Sequence, residues 1–230
     1  LMATWTAAAT NQAGGFDLAT EGEIRFGLKM RGETLVVTSM DAHRASYVGY
    51  PDVYVFDRVG TGCGALGNRC GVRINDFAVW LGYNSFYLYR GGYVEPLACD
   101  VWDFFFEDLA KIQASKVYAW HNVEWNEAWW CYPSDTNNEV DSFIAWNYIE
   151  NTWTYGHIPA STVMPRGVFK EPIGLHTDGN LYQQEIGYDH GSETPYAESG
   201  PFELMDGDSM VHVTHVLPDE QDSGEVQLTF

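Results

Sequence analysis

Three runs in the middle of the chain decide the fold: AWWCYPS (Ala128–Ser134), SFIAWNY (Ser142–Tyr148) and TWTYGH (Thr152–His157). Each is rich in aromatic and β-branched residues and is bounded by polar turn formers. The polar loop Asp135–Asp141 separates the first run from the second, and a tight Ile149–Asn151 turn separates the second from the third. They read as consecutive antiparallel strands. Neighbouring side chains on a strand point to opposite faces, so Trp129 and Trp130 must part company across the sheet. One of that pair, with Trp146 and Trp153, is expected to be buried between sheets.

Working outward, the same unit recurs: a strand-like run, two polar or Gly residues, and another strand-like run. IRFGLKM and ETLVVTS flank Arg31-Gly32, FAVWLG and SFYLYR flank Tyr83-Asn84, VYAWHNVEW and AWWCYPS flank Asn126-Glu127, and IGLHT and NLYQQE flank Asp178-Gly179. Asp-Gly is the strongest of these turns, because Gly supplies the positive φ of a type I′ hairpin. The turns at Gly32, Asn84, Asn126 and Gly179 are spaced roughly 40–50 residues apart, the period of propeller blades. One blade is expected to combine AWWCYPS, SFIAWNY and TWTYGH with IGLHT of the next hairpin. The fold class expected is therefore all-β and β-propeller-like. Four to five blades would span residues 1–230 as a single domain, either closed or as an arc of a larger propeller. A sandwich or meander is the alternative.

One segment breaks the pattern. In CDVWDFFFEDLAKIQASK (Cys99–Lys116), Val101, Phe104, Phe105, Leu109 and Ile112 fall near one helical face. Asp100 is the candidate N-cap, acids lie early and Lys111 and Lys116 lie late, which suits the helix dipole. A short inserted helix of about three turns is expected.

The net charge of −20 is uneven. Residues 1–120 carry 13 acidic and 10 basic side chains, whereas residues 121–230 carry 19 acidic ones against only Arg166 and Lys170. Such a field repels phosphate backbones and disfavours grip on nucleic acid. It also suits solubility or a saline environment. No apolar run approaches the roughly 18 residues of a membrane span, so no membrane partner is expected. No signal peptide is visible, and the ends, Leu1 without an initiator Met and Val226–Phe230 as an unfinished strand, suggest a piece of a longer chain. Cys63, Cys70, Cys99 and Cys131 match no zinc spacing. Free thiols are expected, with a Cys63–Cys70 bridge across a Gly-rich loop as the exception to test.

Catalytic signatures are lacking: no GxSxG, HExxH, P-loop or GxGxxG stands out. His212 and His215 are read as edge-strand residues, three apart and so on opposite faces, where they cannot share a metal. Asp206-Gly207-Asp208-Ser209 has the look of a calcium loop but lacks further ligands, so a turn is expected. Glu124 and Glu127 straddle Trp125, a carboxylate-and-aromatic arrangement found in glycosidases. Two nearby acids are unremarkable in a chain with 32 of them. No catalytic, cofactor-binding or metal-binding residue is assigned, and no cofactor is expected.

The run Trp129–Ser134, the loop Asp135–Asp141, the strand Phe143–Tyr148 and the strand Asn151–Gly156 together resemble the tail hub proteins of short-tailed bacteriophages. These are the packaged DNA stabilisation or head-to-tail joining proteins, to which tail nozzle proteins are related. The order continues with Asp178–Glu185, Ala197–Gly200 and Val216–Asp219 followed by Gly224, and upstream with the hairpin Trp80–Tyr93. The resemblance covers about residues 70–230. It implies a non-enzymatic virion structural protein without cofactor, made in the host cytoplasm and incorporated in the phage tail. Its partners would be portal and tail proteins and further copies of itself in a ring, with DNA passing through without tight binding. The alternative is a glycan-binding or glycan-cleaving propeller.

Overall fold

Turn chemistry sets the strand boundaries. The computed structural model describes Thr6, Ala8, Asn11, residues 13–187, Tyr196, His212, Thr214 and His215. The chain divides into two units, Leu1–Ile186 and Gly187–Phe230, and every strand below lies in the first.

Four antiparallel sheets follow one another along the chain. The first holds β1 (Ile24–Lys29), β2 (Glu33–Thr38), β3 (Ala42–Gly49) and β4 (Val53–Gly60). The second holds β5 (Gly71–Ile74), β6 (Phe77–Leu81), β7 (Phe86–Arg90) and β8 (Tyr93–Leu97). The third holds β9 (Tyr118–Asn122), β10 (Glu127–Tyr132), β11 (Ser142–Asn147) and β12 (Thr152–His157). The fourth holds β13 (Ala160–Met164), β14 (Ile173–His176) and β15 (Leu181–Gln183). Within each sheet, sequence neighbours are ladder neighbours. The first strands lie side by side across sheets: β1 beside β5, β5 beside β9, and β9 beside β13.

All four expected turns join adjacent antiparallel strands. Gly32 and Gly179 adopt φ of +82° and +84°, and Asn126 reaches +58°, a left-handed conformation that Asn tolerates. The grouping of strands differs from expectation. The third sheet takes β9 as its fourth strand, and the IGLHT run forms β14 of the next sheet. The reason is pairing register: Trp129 faces Trp120 on β9 across the ladder, so the hairpin that β10 shares with β9 closes the sheet on that side.

Apolar packing between sheets accounts for the tryptophans. On β10, Trp130 and Tyr132 turn toward the main core, while Trp129 and Cys131 join a second cluster with Trp120, Ala160 and Val163. The third sheet is thus covered on both faces, which explains its nearly continuous apolar runs. Phe86 of β7 sits where the second and third sheets meet. Its ring centroid lies 4.7 Å from Trp130, 4.8 Å from Trp153 and 5.1 Å from Phe105. Trp146 is buried and packs edge-on against Phe77 of the second sheet at 6.3 Å; Trp153 is half-buried at the same core. Buried indoles also need an acceptor. Trp80 Nε1 donates to the Cys63 carbonyl at 2.8 Å, and Trp130 Nε1 donates to the Cys70 carbonyl at 2.9 Å. Both acceptors belong to the linker between the first and second sheets. Cys63 and Cys70 themselves are free, buried thiols, and burial pushes each up to about 11. The close fit extends to Gly71, where an added Cβ would fall 2.4 Å from the ring of Phe26 on β1.

The inserted helix is shorter than its periodicity predicts. α1 spans Trp102–Asp108, and a separate 3₁₀ segment spans Lys111–Lys116. Val101, not Asp100, is the N-cap residue, with no side-chain cap. The helix stops because Leu109 turns extended and bridges to Ser134, and Ala110 N donates to the Pro133 carbonyl at 3.0 Å. The buried face rotates with it: Phe105, Phe106 and Leu109 are buried, whereas Phe104 is half-exposed against Tyr155 and Ile112 is 96% exposed.

Trp130→Ala should cost about 3–5 kcal/mol in chemical denaturation, because it removes a fully buried aromatic and its hydrogen bond. Trp125→Ala, at a residue 56% exposed whose indole donates to Glu185, should cost less, about 1 kcal/mol.

Candidate functional site

The hairpin tips carry most of the charged chemistry, in two places. The first is the β9–β10 turn, which presents Glu124 and Trp125, with Glu127 opening β10. The structure separates the two carboxylates by their partners. Glu124 pairs with Arg166, which also meets Glu171 at 2.6 Å, and Lys170 reaches Glu171 at 3.2 Å. Glu127 instead accepts a hydrogen bond from Trp129 Nε1 at 2.7 Å. Burial raises the Glu127 carboxyl above its ordinary value, and the nearby carboxylates of Glu185 and Glu150 add to the effect.

Glu185, just beyond β15, completes this place; the sequence reading carried it only as the end of the Asp178–Glu185 segment and gave it no chemical role. One of its oxygens accepts from Asn122 Nδ2 and the other from Trp125 Nε1 at 3.2 Å. Burial raises its carboxyl too. The result is a polar patch in which each of three carboxylates already holds an indole, amide or guanidinium partner. That arrangement ties the long turns of the third and fourth sheets together.

The second place lies between the first and second sheets. Three turns converge there: Met30–Gly32 of β1–β2, Asn75-Asp76 of β5–β6, and Gly91-Gly92 of β7–β8. They border an open cleft of about 450 Å³ lined by Arg31, Glu33, Arg44, Asp76, Tyr89 and Arg90. Its floor is a polar chain across the two sheets. Tyr89 hydroxyl donates to Glu33 at 2.5 Å, and Arg44 reaches Glu33 at 3.8 Å and Asp57 at 2.9 Å. Burial, followed by the Glu33 contact, raises the Tyr89 phenol. Arg90 lies over the Phe77 ring at 4.6 Å. Phe77 packs on Trp146 and Tyr148, so the Arg90 guanidinium lies on the face of the second sheet toward the third. A smaller cleft of about 240 Å³ at the opposite ends of the same sheets is lined by Asp41, Gly62, Tyr83 and Tyr87.

The remaining expectations fall as follows. Among the described residues no group of three or more His, Cys, Asp or Glu could hold a metal ion. His212 and His215 are exposed and lie outside any strand, so the edge-strand reading is corrected: the alternating run around them has no ladder pairing at either residue. Asp206–Ser209 and Ala197–Gly200 lie outside the described residues. Among the described residues no helix is long and apolar enough to cross a membrane. Compared with known proteins, the chain matches no family model and no curated sequence.

The raised Glu127 carboxyl has a signed consequence. The fold keeps its proton at a pH where the unfolded chain has lost it. Its stabilising contribution is therefore present below the ordinary carboxyl value and is lost as pH rises through the raised native value. Glu127→Gln keeps an acceptor for Trp129 and removes the titration. The variant should lose less melting temperature than the parent between about pH 4 and about pH 7. Parallel curves for the two proteins would place Glu127 in an environment no drier than water.

Proposed function

We propose that the chain is a non-enzymatic structural protein of a short-tailed phage virion, a component of the tail hub or nozzle around the DNA conduit. In this reading the four sheets are successive blades of a propeller-like arc, and the ring is completed by further blades or further copies. The partners are portal and tail proteins. No cofactor is needed.

One observation carries the reading beyond the motif resemblance. The four sheets succeed one another as antiparallel meanders whose first strands lie side by side, the arrangement from which blades are built around an axis. The charge distribution supports a conduit wall. Half of the twelve cations are in ion pairs: Arg25 with Glu23, Arg44 with Asp57, Arg58 with Asp41, Lys116 with Glu139, and Arg166 and Lys170 with Glu171. Arg69 and Arg73 donate to backbone carbonyls. The six cations that form no ion pair among the described residues stand against 32 acids, a field that disfavours counterion exchange with a duplex, and DNA at high local concentration would slide past.

The glycan-binding alternative has one observation in its favour, the half-exposed Trp125 with its indole fixed by Glu185. Against it, Trp146 is buried and Trp153 packs on the core, so neither lines an open groove.

Gel shifts on a 30-base-pair duplex across a salt series test the proposal. Essentially no retention at about 150 mM salt is expected, since six or more phosphate contacts would be needed for tight, steeply salt-dependent binding. Tight binding that weakens steeply with added salt would overturn the conduit-wall reading.

A further inference from the structure

We infer that Asn122, Glu127 and Glu185 form a proton-operated clasp between the third and fourth sheets. A proton on Glu127 is donated to Asn122 Oδ1, and Asn122 Nδ2 in turn holds the Glu185 carboxylate. The inference stands on these two sheets and does not require the tail-assembly reading.

An orphan acceptor leads to it. Asn122, the last residue of β9, is only 1% exposed. Its Nδ2 donates to Glu185. An ionised carboxylate only accepts, so this contact fixes which end of the amide carries the N–H groups. Oδ1 is left in the interior with no partner among the described residues. A buried acceptor without a donor is costly, and native folds supply one. Register places Glu127 directly across the β9–β10 ladder from Asn122. By the period of two, both side chains share the face on which Trp120 and Trp129 meet Ala160 and Val163 of the fourth sheet. One oxygen of Glu127 accepts from Trp129 Nε1 at 2.7 Å, which leaves the other to carry a proton to Oδ1. An ionised Glu127 would set acceptor against acceptor.

The surrounding charges favour that proton. Glu185 from the fourth sheet and Glu150 from the β11–β12 turn both act on Glu127, and burial adds to them. The residue opposite on β11 is the neutral Asn147. Arg166 is committed to Glu124 and Glu171. On the facing sides of the two sheets, Tyr118 donates to the Val163 carbonyl, and His176 is stacked on Tyr182 and bonded to Gln184.

Glu185 is the end that lets go. Its backbone is left-handed, at φ +60°, a strained conformation for a residue with a Cβ. Its carboxylate is anchored by Asn122 and by Trp125 Nε1 at 3.2 Å. When Glu127 ionises, Asn122 loses its donor and Glu185 meets a second negative charge, so the chain at and after β15 loosens. The Arg166–Glu124 tie does not involve Glu127, and β13 stays docked.

The test is carbon-detected NMR of side-chain carboxyl and amide carbons in the full chain from about pH 4 to about pH 7, with hydrogen exchange followed in parallel. Asn122 Cγ should titrate with the midpoint of Glu127 Cδ. Glu127→Gln should abolish that titration, because its amide N–H supplies a donor at every pH, and Glu185→Gln should retain it. After correction for intrinsic exchange rates, residues 181–186 of the parent should lose about tenfold in protection as pH rises, and those of Glu127→Gln no more than about twofold. Ala160–Met164 should be unchanged in both. An Asn122 Cγ that does not titrate in the parent would overturn the inference without recourse to any variant. So would one that follows the Glu185 midpoint and persists in Glu127→Gln, or protection of residues 181–186 that is independent of pH in the parent.

Discussion

The structure depends on a constraint set by tryptophan: a buried indole brings a large apolar face and one N–H that must find an acceptor. Trp130 meets both demands at once. Its ring packs on Phe86 of the neighbouring sheet, and its N–H reaches the Cys70 carbonyl in the linker that precedes that sheet. Trp80, on the second strand of its own sheet as Trp130 is of the third, does the same with the Cys63 carbonyl. Face-to-face burial supplies the attraction, and the indole hydrogen bonds fix where along the chain each sheet must dock. The linker 61–70 is held by this double use. It makes a close approach at Gly64, where a Cβ would fall 2.0 Å from the Ser39 carbonyl oxygen.

The polar features follow from that stacking. Once sheets are packed face to face, their hairpin tips are brought together, and the side chains at the tips meet partners from other sheets. Glu124 finds Arg166, Glu185 finds Asn122 and Trp125, and Tyr89 finds Glu33. These groups thereby find their partners within the protein.

The hairpins were legible in the sequence because turns are local. Gly32, Gly179 and Asn126 carry their left-handed conformations in their own residue types. The alternation on β10 was equally legible, since period two alone sends Trp129 and Trp130 to different clusters. Which strand closes a sheet was not legible. The Asn126-Glu127 turn already pairs β9 with β10, but nothing local says that β12 ends the sheet or that IGLHT pairs with β13 and β15 instead. The helix failed for a related reason. Local periodicity favoured three turns, but Leu109 and Ala110 gain more from pairing with Pro133-Ser134 than from another helical turn. At the polar sites, adjacency in sequence misled: Glu124 and Glu127 are close in the chain yet engage different partners, while Glu185 arrives from a distant strand.

The central claim is that the aromatic seam makes the second and third sheets one cooperative unit. Native-state hydrogen exchange under increasing denaturant measures this directly. Amides of β6 and β7 should converge on the same opening free energy and denaturant dependence as those of β10 and β11. Separate isotherms, with one sheet opening while the other stays protected, would contradict the account and leave the seam a contact between independently stable sheets.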